Sequence, residues 1–155
     1  MFKKFFLVIT LALSLFMLTA CGEKKVQVTG TLEELMTKVY SNLPEDKTPM
    51  ALGNIEVTKE NVKDYLGTDD IEFTEALASE SQVGSIAHSV VLVRVDENAD
   101  FEAIKTKIKE NVNPRKWICV GVDEGNVIVK NKGNLIILIM TNDGKEELEK
   151  GFDSL

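Results

Sequence analysis

The sequence predicts an α+β fold: one two-layer domain in which helices pack on a mainly antiparallel sheet of about four or five strands. Two patterns carry that expectation. Apolar residues recur at helical spacing in TLEELMTKVYSNL and again in FEAIKTKIKENV. Between and after them, β-branched runs such as AHSVVLVRV and NLIILIM read as strands. A third observation sets the domain count. With no internal repeat, no low-complexity tract and no linker past an N-terminal stem, the chain fits one core of ordinary size.

The chain opens on MFKK, whose Lys3 and Lys4 precede an uncharged run from Phe5 to Ala20; CGEKK then returns abruptly to polar sequence. A spanning helix needs about 20 apolar residues. This run is shorter, with a basic flank in front and small residues behind, which is the layout of an export signal. An uncleaved anchor is the alternative, because a short helix spans a thinned bilayer. Leu18-Thr19-Ala20-Cys21 resembles the lipobox of bacterial lipoproteins. That resemblance implies cleavage between Ala20 and Cys21 and a diacylglyceryl group on the Cys21 thiol. It divides the chain into a signal peptide at 1–20, a lipidated stem at 21–30 and a domain at 31–155. Each buried acyl methylene contributes about 0.8 kcal/mol, so two chains hold the membrane where one does so only marginally. The expected location is the outer, extracytoplasmic face of the cell membrane, with the membrane itself as first partner.

The formal net charge is −7, and loss of Lys3 and Lys4 makes the mature chain −9, without a long acidic block. Nucleic-acid partners require a basic face, and this balance argues against them. Lys24 and Lys25, beside the anchor, read as a solvated stem or a small contact with anionic lipid. With Cys21 acylated, Cys119 is left without a partner in the chain. Its apolar setting, WICVGV, predicts a buried thiol on a strand.

Within the domain, Leu32, Leu35, Met36, Val39, Tyr40 and Leu43 share one helical face, and Thr31 with Glu34 forms a capping box. Pro44 and Pro49 mark a loop, and a short helix from Thr58 to Leu66 is closed by Gly67. IEFTEALAS alternates like a half-buried strand from Ile71, and AHSVVLVRV reads as a more interior one. Phe101, Ile104, Ile108 and Val112 give the next helix, which Asn113-Pro114 ends. NVIVK and NLIILIM flank Asn131-Lys132-Gly133, a hairpin connection in which Gly133 takes positive φ. Leu135 to Met140 is continuously apolar, as a central strand is. Asp143, with Glu146 three residues on, is expected to cap a last helix facing inward through Leu148 and Phe152.

The order DYLGTDDIE, AHSVVLVRV, a helix, then NVIVKNKGNLIILIMTND resembles an uncharacterised family of small lipoproteins of Gram-positive bacteria, over roughly residues 60–153. The Gly133-Asn134 turn is its sharpest element. The chain departs at Ala87-His88-Ser89, where that family commonly has Ala-Asp-Glu. The resemblance implies fold and location and supplies no activity.

Catalytic patterns are sparse. His88 is the single histidine, and no Gly-x-Ser-x-Gly elbow is present, so a serine triad would need Ser85 or Ser89. Both are expected to point away from His88, which reads as a tolerated polar residue on a half-exposed strand face. A zinc site lacks ligands. Asp96, Asn98 and Asp100 begin like a calcium loop, but Phe101 and Lys107 stand where Gly and Glu are required, and helix capping explains the acids. Gly121 and Gly125 make no phosphate loop. The sequence therefore predicts no metal, no cofactor and a non-catalytic domain that binds an unidentified protein or envelope component. The alternative is an envelope hydrolase or transferase using carboxylates. The candidate surface is Asp69, Asp70, Glu72 and Glu75, together with Trp117.

Overall fold

A computed structural model describes residues 27–155; the signal peptide, Ala20, Cys21, Lys24 and Lys25 lie outside the described residues. The elements run α1 (Leu32–Tyr40), β1 (Leu52–Glu56), α2 (Val62–Leu66), β2 (Glu75–Ser81), β3 (His88–Arg94), α3 (Phe101–Asn111), β4 (Val127–Lys132), β5 (Leu135–Thr141) and α4 (Lys145–Asp153), with short 3-10 turns before β1 and β4. The strands form one sheet in the order β1-β2-β3-β5-β4, and every neighbouring pair is antiparallel. The α+β class and the antiparallel sheet are as the sequence predicts.

The layering differs from the expectation. Ile136, Leu138 and Met140 of β5 and Val91 and Val93 of β3 pack with Val62 and Leu66 of α2 and Ile104 and Ile108 of α3. Leu135, Ile137, Ile139, Val90 and Leu92 pack instead with Leu35, Met36 and Val39 of α1 and Leu148 and Phe152 of α4. Successive side chains leave a strand on opposite faces, so a strand with no polar alternation needs cover on both. Helices accordingly lie on each side of the sheet, and the expected two layers become three. On the second face α1 and α4 approach closely: a Cβ added at Gly151 would stand 2.1 Å from the Val39 carbonyl oxygen.

Local chemistry explains the boundaries. Thr31 Oγ1 accepts from Glu34 N at 3.3 Å and Glu34 Oε2 accepts from Thr31 N at 3.3 Å, which closes the capping box of α1. Asp100 Oδ1 accepts from Ala103 N at 3.0 Å and starts α3. The β4–β5 hairpin turns through Gly133 and Asn134, with φ +55° at Gly133 and no positive φ at Asn134, the sign pattern of a II′ turn. Gly67 ends α2 at φ +75°, and a Cβ there would sit 2.1 Å from Asn111 O.

Several expected details are corrected. Strand β1 replaces part of the loop after Pro49; LGNIE carries Gly and Asn, both depleted in strands, and pairs on one side only. Helix α2 starts at Val62 rather than Thr58, because the Asn61 side chain accepts from Thr58 N at 2.7 Å and fixes a turn there. Strand β2 starts at Glu75, although Ile71 is buried in the core ahead of it. Asp143 does not cap α4: the N-cap is Gly144 at φ +73°, where a Cβ would meet Leu43 Cδ1 at 2.2 Å. The segment WICVGV is loop, and Cys119 is exposed at φ +61° instead of buried on a strand.

Candidate functional site

The acidic segment between α2 and β2 lies against α3. Asp69, Asp70 and Glu72 line a cleft of about 510 Å³ with Phe73, Asp100 and Lys107. Of the four acids that the sequence singles out, three are held by a cation. Asp70 Oδ2 is 2.7 Å from Lys107 Nζ, Glu72 Oε2 is 2.9 Å from Lys59 Nζ, and Glu75 pairs with Arg94. Asp69 is exposed. The Lys107 ammonium holds the Asp70 carboxyl below the ordinary carboxylate range, mainly through its hydrogen bond. General-acid chemistry needs the opposite shift.

The structure does not bring Trp117 to that segment. Trp117 is half-buried beside Lys116, whose ammonium lies 5.5 Å from the indole and 4.9 Å from the Tyr65 ring and pairs with Glu80. Glu75 lies on an adjoining recess with Leu77 and Leu32, which shares Phe73 and Thr74 with the cleft and includes Lys59, the partner of Glu72. The sequence-predicted acids thus line two adjoining recesses, and Trp117 stands apart from both.

His88 corrects a further expectation. It is 1 % exposed, and its Nε2 stands 2.7 Å from Tyr40 Oη while its Nδ1 stands 3.1 Å from Thr141 Oγ1. Thr141 Oγ1 donates to Asp143 O at 2.9 Å, so it must accept from His88 Nδ1–H. That leaves Nε2 as the acceptor of the Tyr40 hydroxyl proton. Burial lowers the histidine to about 4 and, as the leading cause, raises the Tyr40 phenol far above its usual value; the ring is neutral and its neighbour is a phenol. Ser89 lies on the opposite face, as strand geometry predicts; Ser85 lies in the β2–β3 connection, ahead of the strand.

What the sequence did not mark is the end of the sheet where His88 sits. The N-terminal ends of β1, β3 and β4 meet the C-terminal ends of β2 and β5 there, in register Leu52↔Ser81, Glu80↔Ser89, His88↔Thr141 and Val127↔Met140. Three loops share hydrogen bonds at this end. Ser81 Oγ donates to Met50 O at 2.9 Å, Gln82 N to Ala51 O at 2.9 Å and Ile118 N to Gly84 O at 2.9 Å. A cleft of about 570 Å³ opens beside them, lined by Pro49, Ile86, His88, Val120, Asp46 and Asp143. Met50 and Ile118 are each 70 % exposed and Val120 is 37 % exposed; they are all the large hydrophobic side chains that are exposed among the described residues. Single exposed apolar residues leave no periodic signal, so no sequence pattern marks them in advance.

No group of histidine, cysteine or carboxylate side chains among the described residues is arranged to hold a metal ion. No described helix is long and apolar enough to cross a membrane. Comparison with family models, curated proteins and solved structures finds no match.

Proposed function

We propose that this chain is an extracytoplasmic domain tethered to the membrane through lipid on Cys21, and that its work is binding a partner. One observation supports the reading beyond the signal sequence: the two ends of the domain differ in character. The chain enters at the Arg94 end, where Arg94 donates to Val28 O and to Gly30 O, the latter at 2.8 Å, and Val28 N donates to Asn134 Oδ1 at 3.0 Å. The exposed apolar side chains lie at the other end of the same strand. β3 has seven residues. At about 3.3 Å per residue it separates the two ends by about 20 Å. A tether at one end leaves the other directed away from the bilayer.

The commitments of the polar groups weigh in the same direction. His88 spends both ring nitrogens on Tyr40 and Thr141, and Asp70, Glu72 and Glu75 spend their charge on lysines and an arginine. The test is made on the protein from its own cells. Mass spectrometry is expected to find an acylated N-terminal Cys21, and Cys21→Ser is expected to leave the signal uncleaved. An unmodified Cys21 in the mature chain would end the tether reading. Hydrolysis of envelope material by the purified protein, abolished by replacing one carboxylate, would end the binding reading.

A further inference from the structure

We propose that the His88 end of the sheet is a protein-docking surface whose partner presents a bulky apolar side chain flanked by lysine or arginine. The proposal deepens the binding reading above and rests on it. Met50 is held on one loop and Ile118 and Val120 on a second, and both loops hydrogen-bond the end of β2 and its connection to β3, through Ser81, Gln82 and Gly84, which ties them to one end of the sheet. Val120 lines the cleft with Ile86 and Pro49, and Met50 and Ile118 are exposed on the loops at the same end of the sheet; exposed apolar side chains beside a cleft are what partner proteins cover.

The backbone makes a separate case for the same place. Only Ala51 and Cys119, among the described residues other than glycine, have positive φ, at +53° and +61°. One directly follows Met50 and the other stands between Ile118 and Val120. Left-handed backbone at such residues is costly, and it gathers where a loop must present particular side chains. Here it accompanies exactly the exposed hydrophobics, at both loops that carry them.

Charge selects the partner. Asp46 and Asp143 on the cleft wall are exposed, and neither is salt-bridged among the described residues. Lys47 beside them is already neutralised by Glu147, at 2.7 Å. The rim therefore presents net negative charge around an apolar centre, which favours a basic partner and speeds its encounter. A second copy of this chain would bring the same aspartates toward one another, and an anionic bilayer would be repelled by them.

The experiment uses the full lipidated chain in nanodiscs and a set of short synthetic peptides. Their centre is Ala, Leu, Phe or Trp, and their flanks are Lys, Ser or Asp. Fluorescence anisotropy is expected to show Lys-flanked peptides with a bulky centre binding at least about tenfold tighter than Ala-centred or Asp-flanked ones. Ile118→Asp is expected to weaken that binding about tenfold or more, and Asp46→Asn combined with Asp143→Asn to erase the preference for Lys over Ser. Asp70→Asn, in the acidic cleft, is the control and should change neither. Thermal unfolding of each variant checks the fold; Met50→Asp repeats the test if Ile118→Asp fails it. Equal binding of all peptides, a preference for Asp flanks, or indifference to Ile118→Asp and Met50→Asp overturns the proposal. So does sedimentation in which Ile118→Asp converts a dimer to a monomer, or binding of this end to phosphatidylglycerol vesicles. Peptide binding lost in Asp70→Asn alone would move the site and leave the binding reading standing.

Discussion

Tyr40 Oη donates to His88 Nε2 across 2.7 Å, joining the end of α1 to the first residue of β3 at the edge of the apolar layer. The pair fixes where α1 stops on the sheet, because each partner has one geometry that satisfies it. Tyr40→Phe removes the donor and leaves a buried imidazole nitrogen without a partner. That is expected to cost about 1–3 kcal/mol in urea denaturation. A loss near zero would mean that water reaches Nε2.

The same histidine predicts how stability depends on pH. Burial holds it at about 4, against 6.5 when unfolded, so the unfolded chain binds more protons between those values. Its contribution is complete above pH 6.5, declines as the pH falls through that window and is exhausted below about 4. The total is roughly 3 kcal/mol. His88→Gln should flatten the slope between pH 6.5 and 4 in denaturation curves, and an unchanged slope would assign it to other groups.

Much of the fold was legible because periodicity reports burial directly. Leu35, Met36 and Val39 announced α1, Ile104 and Ile108 announced α3, and the unbroken run from Leu135 announced a central strand, though not the second helix layer that its two apolar faces require. Edge strand β1 was not legible, since Gly53 and Asn54 carry no strand signal and its order comes from pairing with β2. Cys119 misled for the converse reason. Ile118, Cys119 and Val120 are as apolar as a strand, yet β4 starts only at Val127, and they are left outside the sheet. The candidate site fared worst: acids adjacent in sequence found separate cations, and the exposed end is assembled from three distant loops.

That correction makes Cys119 a direct check on the loop. The thiol is exposed, so in the native protein it should react with a chromogenic disulfide reagent at the rate of a free surface cysteine, without denaturant. Protection until unfolding would place WICVGV back in the core.

The contact between α1 and α4 is set by Gly151, whose position leaves no room for a methyl group beside Val39 O. Gly151→Ala must push the helices apart over Leu148 and Phe152. Overpacking of this kind costs about 1–3 kcal/mol, which outweighs the gain in helix propensity of about 1 kcal/mol. A lowered midpoint with unchanged peptide binding is expected.

Lys116 and Glu80 test how much a partly buried ion pair contributes here. Their side chains are 18 % and 15 % exposed, and the ammonium also faces Tyr65 and Trp117. Removing either partner leaves the other charge largely buried without its ion-pair partner. A fully buried pair broken in this way costs about 3–5 kcal/mol, and residual solvent should reduce that to roughly 2 kcal/mol for Glu80→Gln or Lys116→Met. The double variant removes both charges, so it should lose less than the sum, with a coupling of about 1 kcal/mol or more. Trp117 gives an independent readout. Withdrawing the ammonium from its ring should shift indole emission in Lys116→Met, and less so in Glu80→Gln, where the cation stays. Additive losses would mean that the two side chains do not couple, and unchanged emission would mean that the ammonium does not reach the ring.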